Sequence, residues 1–376
     1  MKQLKRHIKL IRKPYILKEY LKNKKNIIPY KLKKTRAFYP LIVYFVINVR
    51  CNLKCLMCDI GQKQRNSQFY YNLVGDSTDL PLYHLKKIID DIASFKPEIV
   101  FSSTEPLLYK DIIEAINYVK KKKLRCRLTT NGFLLPNFAE KLVDSGLDEL
   151  LISIDGPEKI HDYVRGIEGT FKRIRQGIIK IHEYKNKTGK KYPIIRINTT
   201  ITEHSYTYLY ETVKQMKRLK VFDVTINHLN FVTKEMKETH NKVYKLYPST
   251  ESSISKVHLN KIDTDVLFNE IQKIKKDFYD FAYITPDMDR KNTAIYYKNP
   301  LKFVSGHDRC TVPWRVSQIK ANGDVIPLTR CFNVVMGNAI EQNFKKIWNN
   351  EKYRAFRALL LKKKALPACS RCCGVF

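Results

Sequence analysis

Three cysteines lie within eight residues near the start of the chain. Cys51, Cys55 and Cys58 directly follow the apolar run over residues 41–48. Soft thiolate ligands select iron–sulfur clusters, zinc or copper(I). A four-iron cluster takes one thiolate for each iron, so three thiolates leave one iron open to a small molecule. The spacing therefore predicts a metal centre that also binds a ligand.

A second group of cysteines, Cys369, Cys372 and Cys373, lies near the C-terminus, and Cys310 and Cys331 stand apart from it. Cys310, Cys331, Cys369 and Cys372 supply four thiols, which is enough to close a metal site completely. Four thiolates suit an iron–sulfur cluster and a structural zinc ion equally well, so the ligand count leaves the metal open. Cys126 stands apart in an apolar run, where a buried core residue is expected.

Composition places limits on the kind of protein. The 376 residues carry a net charge of +34, and 44% of them are hydrophobic. No apolar run approaches the roughly 20 residues that a membrane-spanning helix needs, and the start lacks a secretory pattern. We therefore expect a cytoplasmic protein whose cysteines are metal ligands or reactive thiols. The charge indicates either a solvated surface or anionic partners.

Residues 1–36 form a basic arm in which Glu19 is the only acid, and apolar residues recur at helical spacing. Such an arm either packs on the domain behind it or lies on an anionic membrane surface. The membrane surface is favoured over nucleic acid, so a peripheral position at the inner membrane surface is an alternative to a purely cytoplasmic one.

Six strand–helix repeats follow the arm. Strands separated by helices of this length pair in parallel through right-handed crossovers, which favours an incomplete barrel or a wound sheet. The predicted strands cover residues 41–48, 99–103, 124–130, 149–154, 194–200 and 221–227, and the predicted helices cover residues 82–95, 109–122, 137–145, 171–186 and 206–219.

Polar residues follow each of these strands at the same end. In a βα barrel the C-terminal strand ends converge on the active site, so these residues are expected to form one site. They are the three cysteines, Thr104-Glu105, Thr130-Asn131, Ser153 to Asp155, Asn198 to Thr200 and Asn227-His228.

The pattern changes after the sixth strand. Residues 233–305 show one clear helix, over residues 266–279, and either carry substrate specificity or form a surface excursion without contact to the site. Beyond residue 306, a turn at Asn322-Gly323 joins two short strands, and a helix is expected over residues 344–361.

Together these motifs resemble the radical S-adenosylmethionine (SAM) enzymes that carry a C-terminal SPASM or twitch domain. The likeness covers about residue 41 to the end, leaving out the arm and the middle segment. It is carried by Cys51, Cys55 and Cys58, and by Cys310, Pro313-Trp314, Asn322 to Val325, Gly337-Asn338, Ile347 to Asn349, Cys369 and Cys372.

The resemblance implies a partial (β/α)6 TIM-like barrel with a small C-terminal α+β iron–sulfur domain. The expected divisions are the basic arm (1–36), the radical SAM barrel (37–232), a sixth helix with a variable segment (233–305) and the auxiliary-cluster domain (306–376).

The resemblance also implies the chemistry. Cys51, Cys55 and Cys58 would hold a [4Fe–4S] cluster that binds SAM, and the Met57 backbone would lie near its adenine. Reductive cleavage of SAM would give a 5'-deoxyadenosyl radical that abstracts hydrogen from a peptide, sugar or other small metabolite. A flavodoxin or ferredoxin would supply the electron. One auxiliary [4Fe–4S] cluster would use Cys310, Cys331, Cys369 and Cys372, with Cys373 competing with Cys331 for the last ligand position.

The contacts to SAM follow from the same likeness. Ser103-Thr104-Glu105-Pro106 stands where the family has Gly-Gly-Glu-Pro, the segment that binds the SAM amino group. If a positive φ is required there, Ser103 or Thr104 must adopt it at a steric cost, or SAM binds slightly differently. Glu105 is expected to pair with the SAM ammonium.

Five further residues have expected roles near the strand ends. Asn131, Ser153 and Asn198 are candidates for the SAM ribose and methionine parts, with loop capping as the alternative. Arg165 is expected to meet the SAM carboxylate, because a guanidinium fork suits that planar anion. Asp155 is the candidate catalytic base toward the substrate, or simply the residue that forms an Asx turn before Gly156.

Two other functions stay open at this point. The positive charge would suit radical SAM modification of RNA or of an anionic cell-surface precursor. The replaced glycines at Ser103 and Thr104 keep a third possibility, a metal-binding scaffold without catalysis.

Overall fold

The computed structural model describes residues 23–75, 78–327, 332 and 334–375. Cys331 and the first 22 residues of the basic arm therefore lie outside the described residues. Ten strands form one sheet in the order β10-β9-β8-β1-β2-β3-β4-β5-β6-β7. The strands are β1 (Ile42–Phe45), β2 (Glu98–Phe101), β3 (Cys126–Thr130), β4 (Glu149–Ser153), β5 (Ile194–Thr200), β6 (Asp223–Asn227), β7 (Ala282–Thr285), β8 (Val316–Ile319), β9 (Asp324–Ile326) and β10 (Gly337–Asn338).

The helices fill the connections between these strands. They are α1 (Ile28–Lys31), α2 (Gln68–Leu73), α3 (Leu82–Ile92), α4 (Ile112–Lys121), α5 (Leu135–Asp144), α6 (Glu158–Arg165), α7 (Thr170–Thr188), α8 (Leu209–Arg218), α9 (Lys234–Val243), α10 (Thr264–Asp277), α11 (Arg290–Lys298), α12 (Phe344–Trp348) and α13 (Glu351–Lys363).

The six predicted strands all form, and β1 to β6 pair in parallel in chain order. In β2 the consecutive residues Ile99, Val100 and Phe101 are all buried, so both faces of the sheet are covered there. The helices cover the faces of the sheet with one apolar side each. In α3, for example, the buried residues recur at helical spacing. These are Leu85, Ile88, Ile89 and Ile92. The predicted fold class, a partial barrel with a C-terminal domain, is confirmed.

Two features extend the predicted sheet. Strand β7, in the segment 233–305, pairs in parallel with β6 and adds a seventh barrel strand. At the other edge β8 pairs in parallel with β1, so the C-terminal domain continues the barrel sheet. The predicted turn at Asn322-Gly323 does join antiparallel β8 and β9, and Gly323 takes a φ of 86° there.

The single helix predicted over residues 344–361 is wrong, because two helices occupy that stretch. The first helix ends at Trp348 with Asn349 as its C-cap. Asn350 begins the second, since its side chain accepts a hydrogen bond from Tyr353 N at 2.9 Å. Asparagine at this position is a favoured N-cap, and it turns the chain between α12 and α13.

The described part of the basic arm packs against the C-terminal domain. Trp314 Nε1 donates a hydrogen bond to Lys34 O at 2.9 Å, and Arg357 Nη1 donates one to Thr35 O at 3.0 Å. The Tyr30 ring meets Trp314 edge-on at 5.1 Å. Residues 23–36 thus pack against the C-terminal domain. Within the described ranges, the helices are all too short or too polar to cross a bilayer.

Candidate active site

A pocket of about 320 Å³ opens at the C-terminal ends of β1 to β6. Its wall contains the three clustered cysteines and most of the polar residues predicted to converge there. The predicted members are Cys51, Cys55, Met57, Cys58, Ser103, Thr104, Thr130, Asn131, Ser153, Arg165, Asn198, Thr200, Asn227 and His228, and they are joined by Thr129, Leu229 and Asn230. Two predicted residues, Glu105 and Asp155, lie behind this wall.

The cysteine loop is held by the end of α6. Lys54 N donates to Arg165 O at 3.1 Å, and Leu56 N donates to Val164 O at 2.9 Å. Gly166, with a φ of 74°, follows directly, and a Cβ there would lie 2.7 Å from Lys54 O. Only glycine fits both the backbone conformation and this close approach. The helix end therefore fixes where the three thiols lie.

Arg165 connects the loop to the barrel. Its Nη1 lies 3.7 Å from Cys55 Sγ, and its Nε lies 2.6 Å from Asp155 Oδ2. Asp155 is fully buried, and its Oδ1 accepts a hydrogen bond from Thr200 N at 2.8 Å. Its contacts hold the guanidinium in place, which differs from the role of substrate base predicted for it. That catalytic role stays a prediction.

Burial dominates the acidity of the thiols. It raises the pKa of Cys51 to about 11 and the pKa of Cys55 to about 12, and the positive charge of Arg165 only partly opposes the second shift. Both thiols are therefore protonated at neutral pH without a metal. Metal binding must release these protons, because the thiolate is the ligand.

Glu105 joins two loops of the wall. Its Oε1 accepts hydrogen bonds from Thr130 Oγ1 at 2.7 Å and Leu107 N at 3.0 Å, and its Oε2 accepts one from Asn131 N at 2.7 Å. Burial raises the pKa of Glu105 to about 7. Its pairing with a SAM ammonium stays a prediction, while its contacts already position Asn131.

Asn131 in turn meets the cysteine loop. Its Nδ2 donates to Asn52 Oδ1 at 2.8 Å and lies 3.9 Å from Cys51 Sγ. Neighbouring Ser103 adopts a φ of 92°, so the steric cost considered for the replaced glycines falls on Ser103. Thr104 Oγ1 donates to Asn48 Oδ1 at 2.6 Å, which ties this loop to the end of β1.

The sixth strand supplies Asn227 and His228, which were predicted to converge on the site but had no assigned role there. Asn227 Nδ2 donates to Asn198 Oδ1 at 2.6 Å. His228 is buried, its Nδ1 lies 2.8 Å from Tyr297 OH, and burial lowers its pKa to about 3, so the ring is neutral. Asn227-His228 at a strand end was the available signal. The partner Tyr297, on α11, was not predictable from local pattern.

The segment 233–305 contacts the site as well. Asp59, next to Cys58, accepts hydrogen bonds from Ser252 Oγ and Ser253 N, both at 2.8 Å. Together with Tyr297, these contacts exclude the alternative of a surface excursion without contact to the site. The segment supports both the cysteine loop and the end of β6.

The second cysteine set lies around Gly374. A Cβ on Gly374 would lie 3.3 Å from Cys310 Sγ and 3.6 Å from Cys372 Sγ. Cys369 is buried, which raises its pKa well above the usual value, with Cys372 and Cys310 adding to the shift. Cys331 and the Cys373 side chain lie outside the described residues, so the fourth ligand stays a prediction.

The donor sets fit iron–sulfur clusters by their chemistry. The pocket wall presents three thiols and no carboxylate, and sulfur donors of this kind select soft metal centres. In the described ranges, no group of three His, Cys, Asp or Glu side chains lies close enough to hold a single metal ion. A four-iron cluster differs from a single ion, because each thiolate binds its own iron.

Comparison with known proteins identifies both regions. The Radical SAM superfamily model matches residues 45–200, and the model of an iron–sulfur cluster-binding domain, SPASM, matches residues 310–373. The chain is a radical SAM protein with a SPASM domain. It is therefore an enzyme of this superfamily, whose two domains use [4Fe–4S] clusters and SAM.

The relatives of this radical SAM enzyme carry names that refer to different activities. Fe-coproporphyrin III synthase of Methanosarcina barkeri is 24% identical over 94% of this chain and 85% of its own length. The AdoMet-dependent heme synthase of the same organism is 32% identical over 48% of each chain. Streptococcus suis SuiB bound to the precursor peptide SuiA superposes with a TM-score of 0.58 at 20% identity, over 92% of this chain and 72% of SuiB. The similarity to SuiB, at this level of identity, shows a shared fold.

Proposed function

We propose that this radical SAM enzyme cleaves SAM reductively in the 320 Å³ pocket and abstracts hydrogen from a small organic substrate, with a peptide as the first candidate. One observation carries the proposal: three thiols share a single wall with polar residues from six consecutive strand ends. Bound together, a reduced four-iron cluster and SAM supply one-electron cleavage and a hydrogen-abstracting adenosyl group.

The chain's own residues hold and orient these groups. Cys51, Cys55 and Cys58 would ligate the cluster. Arg165 keeps a positive charge beside Cys55, where it suits the SAM carboxylate. Asn131 and Asn198 present amides on the same wall, which suit hydroxyl and amino groups. His228 offers a neutral ring nitrogen farther round the barrel.

The substrate class rests on the relatives. SuiB binds a precursor peptide in the same fold, which supports a peptide. The relative named Fe-coproporphyrin III synthase covers nearly the whole chain, and its name makes a carboxylated tetrapyrrole the second candidate. Such a polyanion would also suit the net charge of +34.

The test is anaerobic reconstitution with iron and sulfide, followed by dithionite and SAM. We expect release of 5'-deoxyadenosine. Cys55→Ala should reduce it to background, whereas Cys126→Ala, which removes a buried thiol outside the pocket, should retain it. Protein that carries its cluster iron yet releases no 5'-deoxyadenosine would be a metal-binding scaffold.

Two partner predictions have separate tests. Action on RNA requires association that weakens steeply with salt, because counterions are released on binding. Contact of residues 1–36 with anionic lipid requires sedimentation with phosphatidylglycerol vesicles, and this should disappear when residues 1–22 are removed. Neither result alters the test of SAM cleavage.

A further inference from the structure

A wide groove of about 1730 Å³ runs along the outer side of the cysteine loop. Lys54 and Leu56 form one side of it, and α6 with the turn that follows forms the other. The groove shares no lining residue with the 320 Å³ pocket. It is therefore a second concave surface beside the same loop.

The cysteine loop is the partition between groove and pocket. Lys54 and Leu56 line the groove, whereas Cys55, Met57 and Cys58 line the pocket. Gly166 also lines the groove, and its missing side chain lets the end of α6 lie directly against the Lys54 backbone. Only one loop of backbone thus separates a molecule in the groove from the three thiols.

The groove is rich in positive charge. Five exposed lysines line it, and none of them forms an ion pair with a residue that the structure describes. These are Lys54, Lys63, Lys159, Lys172 and Lys256. Of the three carboxylates in the lining, Asp162 is buried and accepts hydrogen bonds from Gly169 N and Phe171 N, while Glu158 and Glu168 are exposed. The exposed lysines therefore outnumber the exposed carboxylates by five to two. An anionic surface would therefore be attracted here.

Two exposed aromatic side chains complete the surface. The exposed fraction is 58% for Tyr163 and 43% for Tyr208, and both line the groove. Tyrosine is enriched in protein–protein interfaces, because it offers apolar area together with a hydroxyl. Size, charge and aromatic content together fit an acidic protein rather than a small molecule.

We propose that this groove docks an acidic one-electron donor protein, carrying a flavin or an iron–sulfur centre, for the metal centre on Cys51, Cys55 and Cys58. The proposal rests on the proposed function. A substrate held in the groove could not reach the pocket, because the loop lies between them, but an electron can cross the loop. One electron leaves the donor, which is oxidised, the metal centre is reduced by one electron, and no atom is transferred.

The first test measures binding without turnover. An acidic flavodoxin is titrated into the protein by calorimetry between about 20 mM and about 300 mM salt, a range over which exposed charges become screened. Lys159→Glu with Lys172→Glu should weaken binding at low salt by at least about tenfold. The matched control, Lys121→Glu with Lys141→Glu, makes the same charge change on exposed helix positions outside the groove and should have less than about a twofold effect.

The second test follows cluster absorbance on mixing with reductant. Reduction by flavodoxin should slow in the groove variant, while reduction by dithionite should be unchanged. Equal effects of the two variants, or absence of flavodoxin binding to the unmodified protein, would overturn the proposal. Normal flavodoxin reduction with lost substrate turnover would assign the groove to substrate and also overturn it. Dithionite-driven release of 5'-deoxyadenosine tests the proposed function separately.

Discussion

The two cysteine sets sit in different surroundings. The first faces a pocket whose wall is made by residues from six strand ends, so a ligand can share the site. The second gathers around Gly374 in a 3-10 turn near the C-terminus, beside the fully buried Arg371. A bound molecule therefore has room beside the first set, whereas the second set lies against a turn that the Arg371 hydrogen bonds hold.

The two loops are also held by different means. Close backbone approach at Gly166 fixes the first. The second is fixed by Arg371, whose guanidinium donates to the carbonyl oxygens of Tyr296, Lys302, Ser370, Ile295 and Asn299 at 2.6 to 3.0 Å. Those carbonyls include the last turn of α11, the helix that places Tyr297 against His228. The second cysteine loop thus contacts a helix that supports the pocket.

Removing each thiol set should separate their roles most strongly. Cys51→Ala, Cys55→Ala and Cys58→Ala together should lower release of 5'-deoxyadenosine more than about 100-fold, since direct ligands matter more than the partners that orient them. Cys369→Ala with Cys372→Ala should lower iron content but leave dithionite-driven SAM cleavage measurable. Iron and sulfide analysis measures the cluster content of each variant, and chromatography measures the 5'-deoxyadenosine that it releases. Equal loss of cleavage in the two variants would contradict the distinction.

Arg371→Met should produce the largest change in stability. It leaves several buried carbonyl oxygens without donors, so we expect the free energy of unfolding to fall by about 3 kcal/mol or more. Urea denaturation measures this. Arg354→Met, on the exposed face of α13, is the control and should change stability by less than about 0.5 kcal/mol. A similar small change at Arg371 would show that the clamp does not stabilise the second loop.

Gly166→Ala tests the anchoring of the first loop. The new Cβ would lie 2.7 Å from Lys54 O, so the loop must shift, and we expect SAM cleavage to fall by roughly 10- to 100-fold. Gly169→Ala is a matched control, because Gly169 has a φ of 78° and open space around its Cα. It should carry the strain of a left-handed alanine, about 1 kcal/mol, with normal cleavage. Equal activities of the two variants would show that the close approach is unimportant.

Features that depend on neighbouring residues could be predicted from the sequence, whereas features that depend on contacts between distant residues could not. Strands β1 to β6 and the cysteine spacing are local patterns, and both were read correctly. Strand β7 is short and half-exposed, and only its pairing with β6 defines it. The parallel pairing of β8 with β1 joins residues more than 270 positions apart, and no periodicity records it.

The site divides in the same way. The position of each residue directly after a strand predicted which residue types converge on the site. It did not predict which atoms each side chain contacts. Glu105 and Asp155 are carboxylates at strand ends, yet both lie behind the pocket wall, where Thr130, Asn131 and Leu107 donate to Glu105 and Arg165 pairs with Asp155. Side-chain partners from distant loops decide this, and they exist only in the folded chain.

Ser103→Gly should have the smallest effect, and it tests whether the replaced glycine matters. Serine at a φ of 92° is strained by about 1 kcal/mol, which glycine would relieve, although glycine also gains entropy in the unfolded chain. The free energy of unfolding should therefore change by less than about 1 kcal/mol, with SAM affinity unchanged. Ser102→Gly, at the buried neighbour without positive φ, relieves no strain and should destabilise more. Equal destabilisation by the two changes would mean that the Ser103 backbone is not strained, and that the loop from Ser103 to Pro106 tolerates serine without cost.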